Sequence, residues 1–315
     1  MTDFLEVLRF SLNEHGYILL ENIGEGGFSS VFKVESVKYK SFFVAKIIRD
    51  FKDDNMHEAN VLIELSHPYI INVYDYWVHN KFGFLIIDYC SGGSVEEYIK
   101  KNPIISENTA IRWMKQILQA VQYCHSNGVA HLDIKPRNIM IDEYGRIKLI
   151  DFGNSCKIED NGRIAHFSCT QCMASPEIDG FVPFFPIEAD IWAIGITFFY
   201  IFTGSYPWDK PPKQNVELEF IKSMSFNAAK IPKAFCPILK DIIKENPKSR
   251  KSINAILENP VFLITETKSL LSHNSIVSIP TVYKNGIRRP NSTHSSRSLT
   301  NRTPSPKTII QNLRQ

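Results

Sequence analysis

The chain lacks the marks of a secreted or membrane-spanning protein. Its six cysteines, at positions 90, 124, 156, 169, 172 and 236, are too scattered over 315 residues for the disulfide framework of a secreted domain. Reduced thiols in an intracellular setting, cytoplasmic with the nucleus left open, are the expectation. The opening residues, MTDFLEVLRFSLNEHG, carry acids but neither a basic leader nor a long apolar core, so no signal peptide is expected. The most apolar run, Ile191 to Phe202, is about twelve residues where a bilayer span needs roughly 20, and it reads as a buried core helix. Cys169 and Cys172 stand at C-x-x-C spacing without a second pair nearby. They do not complete a zinc site, and free thiols or a redox lock stay open.

Composition is otherwise ordinary: 43% hydrophobic and 22% charged, enough for one large two-lobed domain or two medium ones. The net charge of +3 hides an asymmetry. From Ile264 onward eight Lys/Arg face one acid, Glu266, a charge of +7, while the remaining residues hold 28 basic and 32 acidic side chains, or −4. Rich in Ser, Thr, Asn and Arg with little apolar periodicity, residues 263–315 are expected as a disordered tail. Thr303-Pro304 and Ser305-Pro306-Lys307 are candidate sites there for proline-directed kinases. A nucleic-acid partner would rest on this tail alone and is not expected.

Most of the chemistry lies in one stretch, His131 to Gly153, HLDIKPRNIMIDEYGRIKLIDFG. Strand-like runs Ile139 to Ile141 and Ile147 to Ile150 flank a turn at Glu143-Tyr144-Gly145. Such a hairpin brings Asn138 and Asp151 close to Asp133. Two oxygen ligands beside a carboxylate suit phosphoryl transfer from a magnesium nucleotide. Upstream, YILLENIGEGGFSSVFKV (Tyr17 to Val34) sets Gly24, Gly26 and Gly27 between two strand-like runs, where backbone amides can approach a phosphate with no Cβ in the way. Lys46 interrupts the apolar strand Phe42 to Ile48 and so needs a charged partner. Glu58, on a helix expected over Asn55 to Ser66, is the candidate. Further helices are expected over Ser94 to Lys101 and Thr109 to Ser126, and residues 1–16 read as a short helix or a frayed lead-in.

Together these motifs resemble those of eukaryotic protein kinases of the serine/threonine type. The resemblance covers residues 17–262 and implies an α+β fold of two lobes, a small antiparallel β-rich one with a helix and a larger, mainly helical one. It implies ATP and Mg2+ as cofactors and protein Ser/Thr hydroxyls as substrates. Asp133 would accept the substrate proton, Lys135 would offset charge on the transferring group, and Thr170 would bond both. Asn138 and Asp151 would hold the metal. The nucleotide would lie among Ile23, Gly24, Gly26, Gly27, Val31, Val44, Lys46, Glu58, Asp88, Cys90 and Met140, with Ile87 as gatekeeper. Phe152, His131, Leu62 and Val73 would form an apolar column. Glu177 would pair with Arg250, and Asp190 would brace the catalytic loop.

Several departures stand out. Ser29 replaces the third loop glycine, and Val44 replaces the usual alanine two before the lysine. Leu132 replaces the arginine that receives a phosphate on the activation segment, so activity is expected not to depend strongly on that phosphate. His-Leu-Asp also points to the calmodulin-dependent and AMP-activated group. Arg137 and Ser94 replace two acids that attract basic substrates, while Glu96 and Glu97 keep a basic preference open. The helix before Asn246 is expected one turn short. A fold kept only for binding stays the alternative; the intact Lys46, Asp133, Asn138 and Asp151 favour the enzyme.

Overall fold

Alternating β-branched and aromatic residues between Tyr17 and Asp88 produce five antiparallel strands. In the computed structural model, which describes residues 2–27, 29–49, 57–158, 170–178, 183–212 and 214–263, these are β1 (Tyr17–Glu25), β2 (Ser29–Ser36), β3 (Ser41–Ile48), β4 (Val73–His79) and β5 (Phe82–Asp88). They lie in the order β1-β2-β3-β5-β4. Successive side chains on a strand face opposite sides, so each side acquires its own core. Phe84 and Ile86 join Phe32, Val34, Ala45 and Ile47 on one side, while Leu85 faces the other with Val61 and Leu62.

A helix covers each face. The first sixteen residues include a 13-residue helix, α1 (Thr2–Glu14), whose Leu8 and Leu12 are fully buried against the outer side. Trp77 Nε1 donates to Ser11 Oγ at 2.8 Å, and the His15 ring stacks on Trp77 with centroids 3.8 Å apart. On the inner side lies α2 (His57–Glu64), which ends before the expected Ser66; its expected start at Asn55 lies outside the described residues.

The larger lobe is helical. Ser94 caps α3 (Val95–Lys101) and Ser106 caps α4 (Glu107–Ser126). Short strand pairs follow: β6 (Val129–Ala130) with β9 (Cys156–Lys157), and β7 (Ile139–Ile141) with β8 (Ile147–Leu149). At the centre runs α5 (Pro186–Thr203), closed by Gly204 at φ 73°, a left-handed terminus that glycine adopts without strain. The apolar run noted in the sequence thus sits in an 18-residue helix, long and apolar enough by length and composition to cross a membrane, yet 83% of it is buried inside the protein. Around it pack α6 (Val216–Phe226), α7 (Cys236–Ile242) and α8 (Ile253–Leu257). A Cβ on Gly195 of α5 would stand 2.5 Å from Ile242 Cγ2 and 2.7 Å from Ile243 Cδ1, so glycine sets how closely α5 meets α7.

Candidate active site

The loop between β6 and β7 is held from below by one carboxylate. Asp190 of α5, fully buried, accepts from His131 N at 2.8 Å, from Leu132 N at 2.7 Å and lies 2.8 Å from His125 Nε2. That grip holds Leu132 at φ 64°, a left-handed conformation costly for a side-chain-bearing residue. His131 then fixes the next residue: its Nδ1 accepts from Asp133 N at 3.1 Å, which leaves Nε2–H to donate to Ile150 O at 3.0 Å. The same ring meets Phe152 edge-on, centroids 4.6 Å apart.

Four polar side chains converge above that base. Lys135 Nζ is 2.9 Å from both Asp133 oxygens and 3.0 Å from Thr170 Oγ1. Asn138 Nδ2 donates to Asp133 Oδ2 at 2.8 Å and to Asp133 O at 2.9 Å, and Asn138 O accepts from Ile150 N at 3.0 Å. With its amide nitrogen committed, Asn138 has Oδ1 as its remaining side-chain acceptor. Asp151 follows Ile150 at φ 66°.

A second cluster crosses between the lobes. Lys46 Nζ of β3 lies 2.6 Å from Glu58 Oε2 of α2 and 3.6 Å from Asp151 Oδ1. Burial alone would pull the Lys46 ammonium down, but the charges of Glu58 and Asp151 outweigh it and hold it above the ordinary lysine value. A fixed cation and a half-exposed carboxylate thus face each other across the cleft. The glycine hairpin stands apart: Gly24 pairs with Val31, Gly26 N donates to Ser29 O at 2.7 Å, and Ile23 is 45% exposed.

A family model for the protein kinase domain matches residues 17–262. The chain belongs to the protein kinase family. It is 28% identical to sperm motility kinase 2B of Mus musculus, over 78% of this chain and 51% of that protein. NUAK family SNF1-like kinase 2 of Homo sapiens is 29% identical over 77% of this chain and 39% of its own length. CBL-interacting serine/threonine-protein kinase 20 of Arabidopsis thaliana is 27% identical over 80% of this chain and 61% of its own. These relatives agree with the grouping that the sequence suggests, and the chain spans about half the length of the first of them.

The rest of the kinase cleft is a hinge with an unforeseen lock. Asp88 Oδ2 accepts from Asn72 N and Nδ2, both at 2.9 Å, and Oδ1 accepts from Tyr74 Oη at 2.6 Å. Lys148 of β8 completes the set, 3.3 Å from Asp88 Oδ2 and from Ile70 O. Lys148 was legible by the argument applied to Lys46, since it too interrupts an apolar strand. Cys90 is buried, and burial with the nearby Asp88 charge pushes its thiol up to about 12. Val44 pairs with Ile87 across the sheet, and Met140 on β7 is half-buried.

Two further features bear on substrate and segment. Glu97 is not free: Ser94 N donates to it at 3.0 Å and Ser94 Oγ accepts from its amide, a capping box that also lowers the Glu97 carboxyl below its usual range. Glu96 lies 3.4 Å from Lys100, while Arg137 is exposed. Arg250, its side chain fully buried, grips Glu177 with both Nη atoms and donates to Glu188 O at 2.8 Å and Lys244 O at 3.0 Å. Of the loop cysteines only Cys172 is described; Cys169 lies outside the described residues.

Proposed function

We propose that this chain transfers the γ-phosphate of ATP to serine or threonine hydroxyls of proteins. The observation that carries the reading is the bonded set Asp133–Lys135–Asn138–Thr170 beside the Lys46–Glu58 pair. Asp133 is oriented by Asn138 to receive the proton of an attacking hydroxyl, and general-base help of this kind is worth about 10²–10⁴ in rate. Lys135 neutralises charge gathering on the transferred group while Thr170 holds its ammonium. Lys46 binds the nucleotide phosphates and Glu58 fixes its position. The donor set, an amide oxygen and a carboxylate, suits a hard divalent cation, so Asn138 and Asp151 would hold Mg2+, which when bound neutralises charge on the phosphates. The test is transfer of labelled γ-phosphate to a generic acceptor protein by wild type and by Asp133→Ala. Loss in the variant supports the enzyme; nucleotide binding without transfer in the wild type supports the alternative of a fold kept for binding.

We further propose that transfer proceeds without a phosphate on the activation segment. Leu132, 7% exposed, packs with Ala130, Phe184 and Ala189, and against Cys156, Ile158 and Ile178. An apolar cluster therefore occupies the place where an arginine would receive the phosphate. The test replaces the hydroxyls of the segment, Ser168 among them, by alanine. It spares Thr170 and also Ser155, whose buried hydroxyl donates to Phe152 O. Activity that appears only after treatment with an upstream kinase overturns this reading. With Glu97 in its capping box and Arg137 at the surface, a preference for arginine near the acceptor is not expected, and a peptide library decides it.

A further inference from the structure

His57 opens α2, one residue before Glu58. Its Nε2 lies 2.6 Å from Ser155 O and 3.1 Å from Ser155 Oγ. Ser155 sits two residues beyond Gly153, and its hydroxyl is committed as a donor to Phe152 O at 2.7 Å. Both Ser155 oxygens therefore accept, and the proton on this bond belongs to the imidazole Nε2. A single N–H thus ties the first turn of α2 to the turn that carries Asp151 and Phe152. Its anchor is itself fixed: the Ser155 amide donates to Phe152 O at 3.1 Å, and the next two residues, β9, pair with β6 at the foot of the catalytic loop.

We propose that His57 is a positioning residue that latches α2 to the Phe152–Ser155 turn, keeping Glu58 on Lys46 with no phosphate on the activation segment. The inference rests on the kinase reading above. The path runs from β6 to β9, to Ser155, to His57, and along one helical residue to the carboxylate 2.6 Å from Lys46. The inner face of α2, with Ala59, Val61 and Leu62, is buried and apolar and sets which side of the helix faces the core, without a directional bond to the Phe152–Ser155 turn. The hydrogen bond from His57 supplies that directional tie. It also gives Leu132 a counterpart: the apolar cluster secures the segment from the lower lobe, and His57 secures the upper lobe to the segment.

Three variants separate this role from bulk packing. His57→Gln keeps a donor where Nε2 stands, while His57→Asn and His57→Ala do not. We expect the Asn and Ala variants to bind Mg-ATP about three- to tenfold more weakly, the worth of one hydrogen bond. They should also show raised KM for ATP, lowered kcat and faster amide exchange in α2, with His57→Gln within about twofold of wild type. Thermal midpoints of all four proteins check folding. An Ala variant with wild-type affinity and exchange, or a Gln variant no better than Ala, overturns the latch. Wild type that binds Mg-ATP but transfers nothing refutes the kinase reading, and the affinity and exchange comparison then judges the latch alone.

Discussion

The pair Glu177–Arg250 offers the sharpest quantitative test. The Arg250 side chain is fully enclosed and that of Glu177 is 14% exposed, so neither charge can turn to water when its partner is lost. Arg250 also donates to Glu188 O and Lys244 O and lies with its guanidinium carbon 5.0 Å from the Trp192 ring centroid. Glu177→Gln keeps the shape but strands most of a buried positive charge, and Arg250→Ala strands the carboxylate and two carbonyls. Breaking one side of such a pair costs about 3–5 kcal/mol. For a domain of this size that lowers the melting temperature by roughly 6–20 °C. Calorimetry or urea unfolding of each variant measures it, provided the transition is two-state. The double replacement Glu177→Leu with Arg250→Met removes both charges together and should be less harmful than the sum of the singles by about 0.5–3 kcal/mol. Single variants that melt within about 2 °C of wild type would refute the argument.

Other outcomes follow from packing and charge elsewhere in the domain. Gly195→Ala should cost about 1–3 kcal/mol, because its Cβ meets Ile242 and Ile243 at distances that side chains do not adopt; equal urea midpoints would contradict it. The folded-state Lys46 value lies above that of the unfolded chain, so its stabilising share is complete below the unfolded value of about 10.4 and is lost only as pH rises through the folded one. The stability difference between wild type and Lys46→Met should therefore stay flat from about pH 6 to 9, and a decline that begins in that window counts against the assignment. Cys90, its thiol pushed up to about 12, should resist alkylation by iodoacetamide at neutral pH until denaturant is added; site-resolved mass spectrometry shows whether it does.

What the sequence made legible was whatever it spelled at fixed spacing. Asp133, Lys135 and Asn138 lie within six residues, and one tight loop brings them together, so their proximity needed no knowledge of the fold. Lys46 and Glu58 were legible through a general cost, since a charge in an apolar strand demands a partner. The capping box Ser94–Glu97 has the same kind of spelling, a serine followed three residues later by glutamate, but in the sequence Glu97 reads as an acid for the substrate instead. Contacts between distant segments had no such signal: His57 meets Ser155 across 98 positions, and the Trp77–Ser11 bond spans 66. Nothing local tells a histidine at a helix start which loop it will face. Apolar periodicity misjudged lengths for a related reason. It carried α2 past Glu64 to Ser66 because Leu65 is apolar and buried although the helix has ended, and it took only part of α5 because polar residues such as Asp190 and Glu188 interrupt the apolar run.

The helix α1 changes what counts as the minimal upper lobe. The family match begins at Tyr17, yet Leu8 and Leu12 complete the apolar layer on the outer side of the sheet. A protein trimmed to the match would lose Leu8 and Leu12 from the apolar cluster on that side, part Phe4 from Phe82 and leave Trp77 without its hydrogen bond. The sheet therefore carries its own lid as a sequence neighbour. A ligand aimed at that face would meet a filled groove and would have to compete with thirteen tethered residues rather than simply bind.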